Sequence, residues 1–285
     1  MPEQEEGPAR QYLTADYVID EMCEFGSRRL EHLSVLQVLV LSVIGGGFIT
    51  MGALFSLLLA EGVETEGAKR LIEGVGFSAG FFFVILSEAV LFTEANVVLP
   101  ATMLYRHTPA ILKKIGRFWA LAWLGNLAGA FLVGLLIVVA QDYPQGVGDE
   151  LVAVVGRKMA FAATGTPAAW GRALLSGVLA NWLVGMAAFF ATMGRSIIGK
   201  YIPVFLAVSL FVAANLQHSP ANMGYFSLAN ASGLGPGWLP ALAWNIIPVG
   251  LGNMLGGGLL VALPFWFALR PAERAGVVAE HAGGN

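Results

Sequence analysis

Apolar residues run along this chain in six long blocks, and short polar stretches separate them. The blocks lie at about Leu33–Ala60, Gly74–Leu99, Phe118–Ala140, Ala168–Met193, Ile202–Ala229 and Ala241–Leu269. Each is long enough for a helix that crosses a bilayer core, which takes about 20 apolar residues. The connectors VETEGAKR, YRHTPAILKKIGR, GRSIIGK and ASGLGPGW are short. The longer segment DYPQGVGDELVAVVGRKMAFAATGTP is mixed and predicts a short helix or a re-entrant piece between the third and fourth spans. Ahead of the first span, TADYVIDEMCEFGSRRLEH (14–32) has an amphipathic pattern and is expected to lie at the membrane surface. The chain therefore divides into an N-terminal segment (1–32), a six-span transmembrane domain (33–269) and a C-terminal tail (270–285). The polar, acidic N-terminus has no secretory-signal pattern and is expected to stay on the protein.

Composition agrees. Of the 285 residues 56% are hydrophobic and 12% charged, against about 25% charged in soluble domains. This is an all-α membrane protein by pattern and by composition. The net charge of −3 and the scattered cations exclude nucleic acid as an expected partner. The single cysteine, Cys23, excludes an intrachain disulfide and a cysteine metal site. Arg28, Arg29, Arg106, Lys113, Lys114, Arg117, Arg195 and Lys200 fall on the side of the termini, and Lys69, Arg70, Arg157 and Lys158 on the other. The positive-inside rule then places both termini in the cytoplasm of a multi-pass protein of the cell inner membrane.

Two spans carry polar interruptions. The second, GFFFVILSEAVLFTEANVVLP, holds Glu88 and Glu94 at membrane depth. The fifth, LFVAANLQHSPANMGYF, holds His218 and Pro220. Proline lacks an N–H and clashes with the preceding turn. A broken helix frees backbone groups that lipid cannot satisfy, so each break must be packed in protein or line a polar cavity. Each broken span is the middle one of three, which predicts an inverted repeat with its site where the breaks meet. At such a depth His218 is either functional or a neutral ring bonded to the broken backbone. Glu88 either supports the site or pairs with a neighbouring helix. Four histidines, with only His218 inside a span, give no catalytic or metal-ligand set, so no enzyme activity, metal or cofactor is expected.

Several motifs together resemble the formate/nitrite transporter family: LFTEAN (91–96), NWLVGMAAFFATMGRSIIGKYIPVFLAVSLFVAANLQHSPANM (181–223) and IIPVGLGNMLGGGLLV (246–261). The resemblance spans roughly Leu33 to Leu269. It implies an aquaporin-like fold, a homopentamer with one pore per protomer, and small monovalent weak acids of the formate/nitrite type as solutes, carried with protons. It also assigns roles. Thr93, His218, Asn181 and Asn222 match the centre of the path; Leu91, Phe77, Phe81, Phe211 and Val184 match its apolar constrictions; Asn253 matches a supporting asparagine. Two positions depart from the pattern. Gly165 stands where many members have a vestibule lysine, with Lys158 nearby but out of register, and Glu94 follows Thr93. Loss of a cation and gain of an anion leave a weak base such as ammonium, or a neutral solute, as an alternative substrate. A membrane sensor on the same scaffold is a more remote alternative.

Overall fold

The computed structural model describes residues 12–269. After Thr14 comes α1 (Ala15–His32), then α2 (Val35–Ala60), α3 (Glu66–Ser87), α4 (Phe92–Tyr105) and α5 (Pro109–Ala140). A connecting helix, α6 (Gln145–Met159), leads to α7 (Pro167–Met193), α8 (Ile197–Ala213), α9 (Ser219–Ala231) and α10 (Trp238–Leu269). Five of these, α2, α3, α5, α7 and α10, are long and apolar enough to cross a bilayer. The remaining predicted span is the interrupted pair α8–α9, neither part of which suffices alone. The segment read as mixed holds α6. The last span contains two π-turns, Leu242–Ile246 and Gly258–Ala262, inside an otherwise continuous helix.

The two halves, α2–α5 and α7–α10, repeat one arrangement. In each, the first and third spans pack closely and the first part of the broken span leans on the first span, while the short half-helix crosses over: α9 packs on α2 and α5, and α4 on α7 and α10. Glycine sets the approach at matching points. A Cβ on Gly129 would lie 2.0 Å from Val43 O, and one on Gly256 would lie 2.2 Å from Val178 O. Helix backbones can come that near only where no side chain intervenes.

Burial separates two kinds of helix. Long spans turn large apolar side chains outward, such as Leu36 and Ile44 of α2 and Phe131 and Leu136 of α5. The short helices do not: every residue of 92–102 in α4 and of 219–229 in α9 is buried. Their ends carry unpaired backbone groups, so they sit inside protein and away from lipid.

One expectation changes. The amphipathic segment forms α1, but α1 does not simply lie on a membrane surface. It docks against α4, burying Val18, Ile19 and Met22. The Thr102 hydroxyl donates to Cys23 O at 3.1 Å, and Leu13 N donates to Met193 O at 2.8 Å. Burial pushes the Cys23 thiol up to about 11, away from reactive thiolate chemistry.

Candidate functional site

The two breaks are built alike, residue for residue. Glu88 and Asn215 each take a left-handed backbone (φ 53° and 51°) where α3 and α8 end. Two residues on, the carbonyls of Val90 and Gln217 accept from asparagine side chains, Asn126 of α5 and Asn253 of α10. Four residues on, the first N–H of the new helix donates back to the same side chain: Phe92 N to Asn126 Oδ1 and Ser219 N to Asn253 Oδ1, both 2.8 Å. Each asparagine also donates at 2.8 Å to the first span of its half, Asn126 to Ser42 O and Asn253 to Gly177 O. The groups freed by the breaks thus find partners inside the protein. Asn253 was singled out in the sequence. Asn126 was not, although Gly125-Asn126-Leu-Ala-Gly129 in the third span repeats Gly252-Asn253-Met-Leu-Gly256 in the sixth.

In this register Leu91 of one half occupies the station of His218 in the other. Leu91 precedes α4 and His218 caps α9. The His218 Nδ1 accepts from Ala221 N at 3.2 Å, and its Nε2 lies 2.8 Å from Thr93 Oγ1. An Nδ1 that accepts carries no proton, so a neutral ring holds its proton on Nε2 and donates it to Thr93. The break in the second span lies at 88–91 and not around Thr93, which sits in the first turn of α4. Both residues are fully buried.

The other path residues assemble around this pair. Asn181 Nδ2 donates to Asn253 O at 2.7 Å and to Thr93 O at 3.2 Å. Asn222 Nδ2 donates to Gln217 Oε1 at 3.0 Å and to Asn245 Oδ1 at 2.6 Å. The Oδ1 atoms of Asn181 and Asn222 are buried without a hydrogen-bond partner among the described residues. Leu91, Phe77, Phe81, Val184 and Phe211 share one buried cluster. The Phe211 ring is 5.2 Å from His218 and 5.8 Å from Phe77, which in turn stacks on Tyr225 at 6.0 Å.

Both departures from the family pattern look different in three dimensions. Gly165 is exposed in the turn between α6 and α7, with φ +57°, and does not line the buried site. The cation that the fold brings near the buried cluster is Lys158 of α6. It is buried, and its Nζ stands 5.1 Å from the Tyr225 ring centre. Arg157 bonds both Glu73 oxygens at 2.6 and 2.8 Å, and Lys69 pairs with Glu150, so α6 is clamped to α3. Asn245 Nδ2 adds a bond to Lys158 O at 2.8 Å. Since α6 lies between spans, ordinary desolvation applies: burial, with the adjacent Arg157 charge, brings the Lys158 ammonium down to about 7, against a pull from Glu73. The sequence showed Lys158 only as a neighbour out of register, and Gln217 and Asn245 were missed.

Glu94 is not a free negative charge. It pairs with Arg29 of α1 at 2.9 Å, both side chains buried. The other Arg29 nitrogen donates to Glu88 O at 3.0 Å, and the guanidinium lies over Phe25. Glu88 keeps its exposed side chain on a cavity of about 380 Å³ that Glu94, Arg28, Arg195 and Lys200 also line. The reading of Glu94 as a free negative charge is therefore corrected: Arg29 offsets it, and the cavity is lined by three further cations and by the carboxylates of Glu21 and Glu88.

A family profile described as formate/nitrite transporter matches residues 16–267. A probable formate transporter of Methanothermobacter thermautotrophicus is 30% identical over 244 residues, covering 81% of this chain and 88% of that protein. The formate channel FocA of Escherichia coli K12 is 30% identical over 254 residues, covering 81% and 86%. Among solved structures, a pentameric formate channel with formate bound matches with a TM-score of 0.68 at 22% identity, over 82% of this chain and 96% of that one.

Proposed function

This chain belongs to the formate/nitrite transporter family, and we propose that it is a proton-coupled channel for small monovalent weak acids of the formate/nitrite type. The observation that carries this reading is the 2.8 Å contact between Thr93 and His218, buried where α4 and α9 begin.

Charge cost argues for passage as the neutral acid. A bare charge at mid-membrane costs at least about 2.5–3.5 kcal/mol, even on the lowest scales. Protonation removes that cost. His218 offers a single proton, on Nε2, and that proton is engaged by Thr93. The solute therefore takes its proton from vestibule water before it reaches the pair. The Thr93 hydroxyl, already an acceptor, is left to donate to the acid's carbonyl oxygen. The unpaired Oδ1 atoms of Asn181 and Asn222 are acceptors for the acid's O–H.

Helix direction favours an acid over a base. The amino ends of α4 and α9 both start at the site. Each carries a partial positive charge, which attracts anions and excludes cations. With Glu94 paired to Arg29, and with Arg28, Arg195 and Lys200 offsetting Glu21 and Glu88, the cavity that Glu94 lines has no excess of negative charge to draw in ammonium. Further support comes from relatives described as formate transporters and channels. A homopentamer, with both termini in the cytoplasm of an inner-membrane protein, completes the reading; the pentameric neighbour and the distribution of basic residues support it.

The test is uptake of labelled formate and labelled methylammonium into proteoliposomes, in wild type and His218→Phe. Formate uptake that depends on pH and collapses in the variant is expected. Methylammonium uptake alone, or formate uptake unchanged by the variant, would overturn the proposal.

A further inference from the structure

The end of the bundle that carries α1 has a shallow basic surface cleft, with only about 10 Å³ of enclosed room, away from the Thr93–His218 pair. It lies between the end of α1, the start of α2 and the start of α5. Leu30, Leu33, Val35, Val38, Phe118 and Leu121 form its apolar walls, and Arg29, Lys114 and Arg117 supply its charge. Lys114 and Arg117 are exposed, and among the described residues neither has a carboxylate partner. Among the described residues no acidic side chain lines the cleft. The nearby Glu31 is already paired with Arg106.

Geometry places these cations at headgroup level. The 32 residues of α5 extend about 48 Å at 1.5 Å per residue, against about 30 Å for a hydrocarbon core. Part of α5 must therefore stand outside the hydrocarbon, and Lys113, Lys114 and Arg117 mark the first turns as that part. Lys114, Arg117, Phe118 and Leu121 follow the three- and four-residue spacing of one helix face, with the cations at the outer end and the apolar residues inward. Val35 and Leu36, at the start of α2, are exposed apolar side chains beside them.

We propose that this crevice binds the headgroup of an anionic glycerophospholipid, with Lys114 and Arg117 on the phosphate and an acyl chain against the α2 and α5 walls. Charge complementarity and depth fit that occupant: basic pockets between helices at a membrane surface take acidic lipid headgroups. Arg29 gives the site a connection to the solute path. It borders the crevice and, through Glu94, the vestibule.

The test uses the purified full chain in neutral detergent, titrated with dioleoyl phosphatidylglycerol or dioleoyl phosphatidylcholine while the thermal unfolding midpoint is followed. Phosphatidylglycerol is expected to raise the midpoint at lower concentration than phosphatidylcholine. The double variant Lys114→Gln/Arg117→Gln should need about 30-fold more of it, from roughly fivefold per cation. Arg70→Gln, which removes an exposed cation at the opposite end, should titrate like the wild type. Each single variant should shift about fivefold, which keeps the test decisive if the double variant does not fold. A variant response equal to wild type, an equal loss in Arg70→Gln, or the same midpoint rise with inorganic phosphate alone would overturn the proposal.

Discussion

Asn126 and Asn253 do the same work in opposite halves of the molecule. Each accepts from the first N–H of a buried half-helix, and each donates to the carbonyl two residues earlier and to the first span of its own half. Between them they fix two helix breaks at mid-membrane and so bring Thr93 within 2.8 Å of His218.

Asn126→Leu preserves size and removes all three bonds. It strands Phe92 N–H and the Val90 carbonyl in the interior, while Ser42 O keeps its helical partner within α2. Unmet buried groups cost about 1–3 kcal/mol each, and membrane interiors temper that figure. A loss of about 2–4 kcal/mol is expected, read as a lower unfolding midpoint in detergent together with reduced formate flux.

Thr93→Val keeps the shape of the side chain and removes the hydroxyl. His218 Nε2 then loses its partner, and the solute loses a donor. A hydrogen bond of about 1–1.5 kcal/mol corresponds to roughly tenfold in rate. Formate flux should fall at least about tenfold, with a stability loss of about 1–3 kcal/mol from the unpaired buried Nε2–H and an unchanged oligomeric state. Stopped-flow uptake beside size-exclusion chromatography measures both.

Arg29→Gln leaves the Glu94 carboxylate buried and unpaired. Breaking a buried ion pair from one side costs about 3–5 kcal/mol. The double variant Arg29→Gln/Glu94→Gln should recover most of this, since two neutral amides need no counter-charge. A double-mutant cycle on unfolding midpoints checks it; simple additivity of the two single variants would contradict the pairing.

Lys158 is charged below about pH 7 and neutral above it. Attraction of anions from the α6 side should therefore weaken as pH on that side rises through about 7. Lys158→Met should raise the half-saturating formate concentration at pH 6 and reduce the difference between pH 6 and pH 8. Lys158→Arg should keep the low value at both pH values, because guanidinium stays charged. Sided flux in proteoliposomes at the two pH values separates this from the pH dependence of formate itself, which all three proteins share.

The sequence by itself determined the membrane class, the spans and the paired breaks. Hydrophobic blocks of spanning length, and a proline beside a histidine inside one of them, are local signals, and they survive in a linear reading. Its motifs also matched Thr93 to His218 across 125 residues. Only the tertiary structure decided the electrostatics around that pair. Whether Glu94 is a free charge depends on Arg29, 65 residues away. Whether a cation stands near the buried cluster depends on α6, which holds Lys158 against Tyr225 while Gly165 stays in an exposed loop. Charge is felt through space, and register along the chain does not record it. The role of Asn126 was hidden for a related reason. Its Gly-Asn repeat is written in the sequence, but only the folded backbone shows the three groups that need it.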